Sequence, residues 1–502
     1  MPGRLGKVSD LSRIVKANDI RGIVPEELDA DVARALGAAL ADHLLDPQST
    51  GEPHPDGAAT PAVAIGQDMR DSSAELAEAF ADGVTWRGAD AVHIGLCSTD
   101  TLYYVSGHDQ IAGAMFTASH NPAHYNGIKF CHPGARPMGS ETGLAHVRHL
   151  AEQYLEQGIP AAAERGGVTH KDVLTEYAAY LRSLVDLRGG RPLKVVVDAG
   201  NGMAGLTAPA VLGTEAGLPD LGLDLVMVFP ELDGTFPNHE PNPLVPENLV
   251  DLQAAVVAEQ ADIGLAFDGD ADRCFVIDER GGVVTPSAVT VIVALQELAA
   301  EQAAGRQGTV IHNLITSRAV PEYVQAAGGN AVRTRVGHSF IKEEMAAHNA
   351  VFGGEHSAHY YFRDFFYADT GMLAALHMLG VLGDPEQKMT LSELAEVHTP
   401  YVASGEINST VADVEEALDT ARRLFAEDID AGTVQVDTLD GLLISHWQRS
   451  PRWWLNLRPS NTEPLLRLNV EAEDEDIMIK IRDGVLSALR EPQPFDGGEE
   501  GH

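Results

Sequence analysis

The stretch Leu193-Lys-Val-Val-Val-Asp-Ala-Gly-Asn-Gly202 is an apolar run that ends in an aspartate and a glycine-rich turn. Related stretches occur at residues 62–72 and, more weakly, at residues 308–318. Each predicts a buried strand followed by a turn and a helix. The copies are separated by far more than the about 20–50 residues of a solenoid repeat. The pattern therefore predicts three successive, related α/β domains. The residues that align at the strand ends are Asp68, Asp198 and Asn313.

Beyond Tyr401 the pattern changes to a helix, four strands and a final helix, which predicts a smaller α+β domain. Composition shifts and turn signals place the boundaries near 166, 281 and 398. The predicted domains are α/β domain I at 1–166, α/β domain II at 167–281, α/β domain III at 282–398 and α+β domain IV at 399–502.

The composition excludes several classes of protein. A net charge of −39 repels phosphate backbones and anionic lipid, so neither nucleic acid nor a membrane is expected as a partner. Three scattered cysteines fit a reducing compartment, and the start of the chain lacks an apolar signal segment. A soluble cytoplasmic protein is expected, and nothing in the sequence indicates an obligate protein partner.

The first candidate site is the stretch Thr117-Ala-Ser-His-Asn-Pro122, which follows an apolar run that predicts a buried strand. Asn-Pro closes the turn, and the loop presents the hydroxyl of Ser119 beside His120. A serine held on a tight loop at a strand end is a common arrangement for a nucleophile. Ordinary turn chemistry explains the same residues, and this loop alone leaves both interpretations open.

The second candidate site is Asp268-Gly-Asp-Ala-Asp-Arg273, in which three carboxylates alternate between two apolar runs of strand type. Such hard oxygen ligands suit Mg²⁺ or Ca²⁺, and Mg²⁺ is preferred because it is usually held by a few carboxylates plus a substrate phosphate. A calcium loop of EF-hand type is the competing interpretation, with Glu279 at its twelfth position. It is disfavoured because Arg273 stands where that loop needs glycine, and because its flanks predict strands.

The third candidate site is Gly353-Gly-Glu-His-Ser-Ala-His-Tyr360. Glu355 and Ser357 could both face a ligand that bears hydroxyl groups. His356 and His359 lack a third ligand for zinc nearby and are interpreted as structural.

The fourth candidate site is Arg458-Pro-Ser-Asn-Thr-Glu-Pro464. It offers a guanidinium, two hydroxyls, an amide and successive backbone N–H groups, a set that suits a phosphate dianion. A hairpin turn capped by Arg458 explains the sequence equally well.

In this order, the four loops together resemble those of the alpha-D-phosphohexomutase superfamily, and the resemblance extends over nearly the whole chain. TASHNP is similar to the phosphoserine loop of that family, DGDADR to its magnesium loop, GEHSAH to its sugar loop and RPSNTEP to its phosphate loop. The resemblance is strongest to the bacterial phosphomannomutase and phosphomannomutase/phosphoglucomutase branch. It implies four domains around a central cleft, each contributing one loop.

The resemblance also implies the chemistry, which is that of an isomerase acting on mannose 1- and 6-phosphate and also on the glucose phosphates. Ser119 would give a phosphoryl group to the substrate and recover the other phosphate from a hexose 1,6-bisphosphate, the intermediate and activator. One Mg²⁺ per site would neutralise charge on the transferring group. The metal ligands implied by the resemblance are Ser119, Asp268, Asp270 and Asp272.

Further residues are implied by their positions in family motifs. The residues expected to act with Ser119 in catalysis are His120, Lys129, Arg21 and His338, and His338 is expected to titrate near neutral pH. Arg70 is a weaker candidate. The residues expected to bind substrate are Glu355, Ser357, Arg273, Arg458, Ser460, Asn461 and Thr462.

The chain departs from the family pattern at several positions. Asn18 stands where several relatives have tyrosine, and Leu314 stands where the bifunctional relatives have lysine. Thr99-Asp100 replaces a common Thr-Pro, and no catalytic effect is expected from that change. His356 differs from the glutamine of the glucosamine branch and from the acid of glucose-specific members. Mannose phosphate is therefore expected as the first substrate and glucose phosphate as the second.

Several alternatives remain open from the sequence. The chain could be a phosphoglucomutase or phosphoglucosamine mutase of the same family. It could be a non-catalytic protein that binds sugar or metal on this scaffold. It could also be a metal-dependent phosphatase, in which water receives the phosphoryl group.

Overall fold

A computed structural model describes residues 10–46, 60–187, 189–459 and 465–490. Three predicted site residues lie outside these ranges, namely Ser460, Asn461 and Thr462. Four sheets organise the described chain, three of mixed direction and one antiparallel. Among the described residues, the helices are all too short or too polar to cross a lipid bilayer.

The first domain has a seven-stranded sheet with helices against it. Its strands are β1 (Ile20–Ile23), β2 (Ala62–Gln67), β3 (Asp90–Leu96), β4 (Ala112–Phe116), β5 (Tyr125–His132), β6 (Arg136–Pro137) and β7 (Val168–His170). Its helices are α1 (Ala30–Leu45), α2 (Ser73–Trp86), α3 (Thr99–Asp109), α4 (Leu144–Gln157) and a 3₁₀ turn at Ser140–Thr142. The strand order is β1-β5-β4-β2-β3-β7, with β6 beside β5. Val32, Leu36, Leu40 and Leu44 recur at four-residue spacing along α1, and all four are buried.

The second domain has a five-stranded sheet of order β12-β11-β10-β8-β9. Its strands are β8 (Leu193–Asp198), β9 (Leu223–Val228), β10 (Ile263–Phe267), β11 (Cys274–Asp278) and β12 (Val283–Val284). Its helices are α5 (Leu174–Leu184), α6 (Ala204–Val211), α7 (Val250–Glu259) and a 3₁₀ turn at Pro246–Leu249. The strand β10 is parallel to β8 and antiparallel to β11, and all its residues are buried.

The third domain repeats this architecture with a sheet of order β14-β13-β15-β16-β17. Its strands are β13 (Thr309–Asn313), β14 (Asn330–Thr334), β15 (Phe352–Gly354), β16 (Tyr360–Phe362) and β17 (Ala368–Asp369). Its helices are α8 (Pro286–Ala303), α9 (Ala319–Ala326), α10 (His338–His348), α11 (Gly371–Gly383), α12 (Leu391–Val397) and a 3₁₀ turn at Arg363–Phe365. The predicted third copy of the strand is therefore β13.

The fourth domain is an antiparallel sheet covered by helices, and it confirms the predicted α+β class. Its strands are β18 (Val402–Ala403), β19 (Ile407–Thr410), β20 (Gln435–Asp437), β21 (Leu442–Ser445), β22 (Trp453–Pro459) and β23 (Leu465–Ala472). Its helices are α13 (Val414–Leu424), α14 (Ala426–Asp430) and α15 (Glu475–Arg490). Strands β18 and β19 and helix α14 were not predicted because they are short.

The predicted boundaries at 166, 281 and 398 stay predictions. Strand β7 follows the first of them and pairs with β3. Strand β12 follows the second and pairs with β11. Both short strands thus extend the sheet of the preceding domain.

Three of the four candidate loops occupy equivalent places in the first three sheets. In each sheet, one turn joins the last parallel strand to the antiparallel strand that follows it. These turns are residues 117–124 between β4 and β5, residues 268–273 between β10 and β11, and residues 355–359 between β15 and β16. Each loop therefore lies at the carboxyl end of a parallel strand, where ligands of α/β sheets bind.

Candidate active site

Ser119 lies on the β4–β5 turn in the left-handed region of backbone conformation, with a φ of 49°. A non-glycine residue adopts this conformation only where its surroundings hold it there. The Ser119 hydroxyl donates to Asp268 Oδ2 at 2.8 Å and accepts from Arg273 Nη2 at 2.9 Å. The serine is 1% exposed. One hydroxyl is thus fixed against the carboxylate loop of another domain.

Arg70 holds the serine loop in this shape. Its guanidinium donates to the carbonyl oxygens of Ser119 at 2.9 Å and of Asn121 at 2.7 Å. It also donates to the carbonyls of Pro122 and Tyr125, at 2.9 and 3.1 Å. Arg70 therefore holds the serine loop in place, although the sequence made it only a weaker candidate for a site residue. Four carbonyls converging on one guanidinium form a fork that lysine cannot reproduce.

The carboxylate loop approaches the serine loop so closely that Gly269 has no room for a side chain. A Cβ atom built there would lie 2.5 Å from the Ser119 carbonyl oxygen. The loop is flanked by the strands β10 and β11 rather than by helices. The EF-hand interpretation is therefore excluded, since that motif requires a helix on each side of the loop.

Asp268, Asp270 and Asp272 each offer one carboxylate oxygen within 4.8 Å of the other two, and all three residues are at most 1% exposed. Lys129 Nζ contacts Asp270 Oδ2 at 2.6 Å and Asp272 Oδ2 at 2.5 Å. Arg273 Nε donates to Asp268 Oδ2 at 2.9 Å. Two cationic side chains thus face three buried carboxylates.

Burial shifts the pKa values of Asp268 and Asp272, and so does their pairing with nearby cations. Burial raises the pKa of Asp268 to about 7, although Arg273 opposes the shift. Burial acts in the same direction on Asp272, but Lys129, His359 and Arg273 together outweigh it and hold the pKa of Asp272 well below its usual value. The two aspartates hold Lys129 charged by raising its pKa against the effect of its desolvation.

These residues fit a divalent cation. Asp270 Oδ1 and Asp272 Oδ1 are buried and accept no hydrogen bond among the described residues, although Asp272 Oδ1 forms ion pairs with Arg273 and His359. Buried anionic oxygens without hydrogen bonds are costly, and a cation would satisfy them. The donor set consists only of carboxylate oxygens, with the Ser119 hydroxyl beside it, which suits Mg²⁺ better than a soft metal.

Arg21 and His120 lie on either side of the serine. Arg21 Nη1 donates to the Ala118 carbonyl at 3.2 Å and also to the side-chain oxygen of Asn121. His120 Nδ1 lies within hydrogen-bond reach of Arg273 and of the Ser119 hydroxyl. Burial, reinforced by Arg273, lowers the pKa of His120 well below its usual value. His120 is therefore neutral, and its Nδ1 accepts the hydrogen bond of Arg273.

His338 begins helix α10 and lines a small cavity together with Lys129 and Asn18. The sequence predicts titration near neutral pH, but desolvation, reinforced by the charge of Lys342, lowers the pKa of His338 to about 4. The imidazole is therefore neutral at pH 7. The difference arises because helix α10 packs against the first domain, which the sequence around His338 does not reveal.

The third loop is joined to the carboxylate cluster through His359, whose contact the sequence did not predict. Burial alone would lower the pKa of His359, but Asp272 raises it. Their closest atoms, His359 Nε2 and Asp272 Oδ1, are 3.5 Å apart, which is an ion pair rather than a hydrogen bond. Ser357 Oγ lies 2.9 Å from His359 Nδ1. The only sequence signal for this contact is the position of His359 within the loop.

Glu355, a predicted substrate residue, is oriented by its own domain. Its Oε1 accepts from the Gly337 backbone at 3.2 Å and from Asn313 Nδ2 at 3.3 Å. Its Oε2 accepts from the Tyr361 hydroxyl at 2.8 Å. Each carboxylate oxygen can accept further bonds, so the group can still receive hydroxyl donors from a ligand.

Arg458 lies on β22 in the fourth domain and donates to Glu406 Oε2 at 2.7 Å. Its charge and that of Glu406 both act on His356 of the third loop, whose pKa is lowered mainly by burial. Arg458 is therefore close enough to the sugar loop for its charge to act on His356. Phosphate-loop residues 460–464 lie outside the described part of the chain.

The structure shows what surrounds three places where the chain departs from the family pattern. Leu314 is 5% exposed and packs with Trp447 and Trp454 of the fourth domain, so it serves an apolar domain contact. Asn18 lines the cavity of Lys129 and His338. Thr99 donates its hydroxyl to Asp270 Oδ2 at 2.6 Å and so contacts the carboxylate cluster, a contact not expected from the sequence.

Comparison with known proteins gives matches in all four domains. The family models are described as Phosphoglucomutase/phosphomannomutase alpha/beta/alpha domains I, II and III and C-terminal domain, and they match residues 12–157, 175–282, 286–401 and 406–488, respectively.

Relatives match over nearly their whole length. The chain is 40% identical to the phosphohexose mutases of Xanthomonas campestris pv. campestris, with 94% of this chain and 98% of the relative covered. It is 38% identical to the phosphomannomutase of Salmonella typhimurium, again with 94% and 98% covered. A crystal structure of a phosphoglucomutase/phosphomannomutase family protein from Burkholderia thailandensis matches with a TM-score of 0.80 and 30% identity, covering 95% of this chain and 97% of the other.

Proposed function

Because the chain belongs to the phosphoglucomutase/phosphomannomutase family, and is therefore a phosphohexose mutase, we propose that it interconverts mannose 1-phosphate and mannose 6-phosphate. Glucose 1- and 6-phosphate are its second substrate pair. The reaction passes through a phosphoserine at Ser119 and a hexose 1,6-bisphosphate. This bisphosphate is also the activator that phosphorylates resting enzyme.

The observation that carries the proposal is the contact between the serine and carboxylate loops. Ser119 Oγ is 2.8 Å from Asp268 Oδ2 and 2.9 Å from Arg273 Nη2. A phosphoryl group on Ser119 would lie between Arg273 and Lys129, which both carry positive charge. Preorganised cations at the place where charge develops are the main requirement of phosphoryl transfer.

In the first half-reaction, a free hydroxyl of the hexose phosphate attacks the phosphorus of phosphoserine. The bond between phosphorus and Ser119 Oγ breaks, the substrate oxygen gains the phosphoryl group, and Ser119 Oγ takes up a proton to become the free hydroxyl again. The hydroxyl proton passes to His338, whose imidazole is neutral because desolvation lowers its pKa to about 4. Proton acceptance by a weak base becomes favourable as the attacking oxygen loses electron density in the transition state. The second half-reaction returns the other phosphate to Ser119.

The residues that would hold one Mg²⁺ in this proposal are Asp268, Asp270, Asp272 and the phosphorylated Ser119. When bound, Mg²⁺ neutralises charge on the transferring phosphoryl group. Lys129 and Arg273 hold the carboxylates in one place, Arg21 supports the serine turn, and His120 accepts a hydrogen bond from Arg273.

Substrate recognition falls to the third and fourth loops. Glu355 and Ser357 receive two sugar hydroxyls in both orientations of the bisphosphate. Arg458, with Ser460, Asn461 and Thr462, holds the phosphate that does not react. The relatives named phosphomannomutase, together with His356 in the sugar loop, favour mannose as the first sugar.

The test is ³¹P NMR of mannose 1-phosphate with the enzyme, Mg²⁺ and a trace of hexose 1,6-bisphosphate. Glucose 1-phosphate and glucosamine 1-phosphate run in parallel. Conversion to the 6-phosphate with the highest kcat/KM for mannose supports the proposal. A higher kcat/KM for glucosamine or glucose reassigns the substrate, and release of inorganic phosphate identifies a phosphatase. Ser119→Ala, which should fold normally, must lose turnover, and full activity in that variant refutes the phosphoserine.

A further inference from the structure

A buried carboxylate outside the predicted site lies where the first three domains meet. Asp100, in the first turn of α3, is 0% exposed. Its Oδ2 accepts from the Tyr177 hydroxyl at 2.7 Å and from the Thr370 hydroxyl at 2.6 Å. Its Oδ1 accepts from the Ser98 hydroxyl. Tyr177 lies on α5 of the second domain, and Thr370 precedes α11 of the third.

The first consequence of this junction concerns the start of α3, which abuts the carboxylate loop. The backbone N–H of Thr99 donates to the Asp270 carbonyl at 3.0 Å. Its hydroxyl donates to Asp270 Oδ2 at 2.6 Å. Asp100 is the next residue, so its hydrogen bonds fix the segment that presents Thr99.

The second consequence concerns the start of α11, which abuts the other end of the same loop. A Cβ atom built on Gly371 would lie 2.6 Å from the carbonyl carbon of Arg273, so the two backbones are in contact. Thr370, the preceding residue, caps α11 by accepting from the Leu373 backbone, and its hydroxyl proton goes to Asp100. The first domain thus contacts the carboxylate loop at Asp270, and the third domain contacts it at Arg273. The hydrogen bonds of Asp100 connect the two segments that make these contacts.

We propose that Asp100 is a positioning residue, which sets the affinity of the carboxylate loop for its divalent cation by holding Thr99 and the start of α11 against that loop. The inference rests on the proposed function insofar as Asp268, Asp270 and Asp272 are metal ligands. Asp100 itself touches no ligand of the metal.

Packing alone does not account for an aspartate at this place. A carboxylate without exposure costs free energy unless hydrogen bonds offset its desolvation, and burial raises the pKa of Asp100 to about 6. Two of its three hydroxyl donors, Tyr177 and Thr370, lie on segments that only the folded chain brings to Asp100, whereas Ser98 lies two positions before it. A carboxylate can accept from all three at once, whereas an amide offers one acceptor oxygen. The group therefore orients the three segments with respect to one another.

The test is Asp100→Asn in the full chain, with Mn²⁺ as the probe and the dissociation constant measured by titration calorimetry. Partners of metal ligands typically change metal affinity by about 10–100-fold when they are lost. The expected result for Asp100→Asn is a Kd for Mn²⁺ weaker by about tenfold, with kcat restored in part at high metal concentration and KM for the sugar phosphate nearly unchanged. Thr99→Val should weaken Mn²⁺ similarly, and the double variant should lose less than the sum of the two because both act through Asp270.

The control is Ser106→Ala, which removes a buried hydroxyl that donates to the Ile111 carbonyl at 2.7 Å in the same domain. It should lower thermal stability and leave the Kd for Mn²⁺ unchanged. If Asp100→Asn does not fold, Tyr177→Phe removes a single donor and should weaken Mn²⁺ in the same direction. Normal Mn²⁺ binding by the wild type, with an unchanged Kd in the folded Asp100 and Tyr177 variants, refutes this inference alone. A wild type that binds no Mn²⁺ refutes the proposed metal site and this inference with it.

Discussion

Replacing Lys129 by methionine should lower turnover and yet tighten the binding of the divalent cation. Lys129 Nζ occupies the same oxygens that a metal needs, at 2.6 Å from Asp270 Oδ2 and 2.5 Å from Asp272 Oδ2. Methionine keeps the length and the apolar stem but removes the charge. The metal would then compete with no ammonium group for these carboxylates, while the transferring phosphoryl group would lose one stabilising charge.

The magnitude follows from the position of the charge. Two unit charges 4 Å apart interact by about 4 kcal/mol at an effective dielectric constant of about 20. The Lys129 side chain is 13% exposed, so solvent reduces this repulsion between the ammonium and a bound cation. A remaining effect of about 1.4 to 2.8 kcal/mol corresponds to a metal affinity about 10- to 100-fold higher. The loss of one preorganised cation should lower kcat by about 10²–10³-fold.

The assay is calorimetric titration of Mg²⁺ or Mn²⁺ at pH 8, where protons compete little for the carboxylates, together with mutase turnover at saturating metal. The matched control is Lys171→Met, which removes a lysine that forms an ion pair with Asp109 of the first domain at 2.8 Å. The control should change neither quantity. Weaker or unchanged metal binding in Lys129→Met would refute the view that Lys129 and the cation share these oxygens.

Further predictions concern the serine loop and the buried histidine. Arg70→Lys keeps the charge but not the fork that serves four carbonyls. Each charge-assisted hydrogen bond that is lost should lower the free energy of unfolding by about 1.5–3 kcal/mol in a chemical-denaturation measurement. The substitution should also lower kcat while changing KM little. An unchanged kcat would show that the hydrogen bonds of Arg70 do not shape the serine loop. His338 should give an NMR titration near pH 4 that is missing in His338→Gln, and a midpoint near 6.5 would contradict its desolvation. The sign for stability follows from the lowered pKa: as pH falls from 6.5 to 4, the unfolded chain takes up this proton first, so the wild type should lose thermal stability relative to His338→Gln in that window.

Much of the site was predictable because its chemistry is local in sequence. The spacing of Asp268, Asp270 and Asp272 puts three carboxylates on one turn, and the apolar runs beside them predict the strands that fix it. The same holds for Ser119, since a tight turn after a buried strand exposes its hydroxyl. The repeated strand ends also predicted real geometry, because Asp68 and Asn313 each accept a hydrogen bond from a backbone N–H of the turn that follows.

Other features depend on contacts that join distant parts of the chain. Ser119 and Asp268 meet although 149 positions separate them, and Asp100 and Thr370 meet across 270 positions. The hydrogen bonds from Arg70 to the serine loop depend on the fold of the β4–β5 turn. The ion pair of His359 with Asp272 depends on the docking of two domains. No local pattern records such pairs.

The sequence by itself determined the fold class, the four loops and the kind of chemistry each can perform, because residue type, apolar periodicity and turn residues act over a few neighbouring positions. The tertiary structure decided which side chains of these loops contact one another and how those groups are charged. Burial is the physical reason for the charge states, since it lowers the pKa of His338 to about 4 and raises that of Asp268 to about 7. Desolvation depends on every segment packed around a group, and in this protein those segments come from different domains.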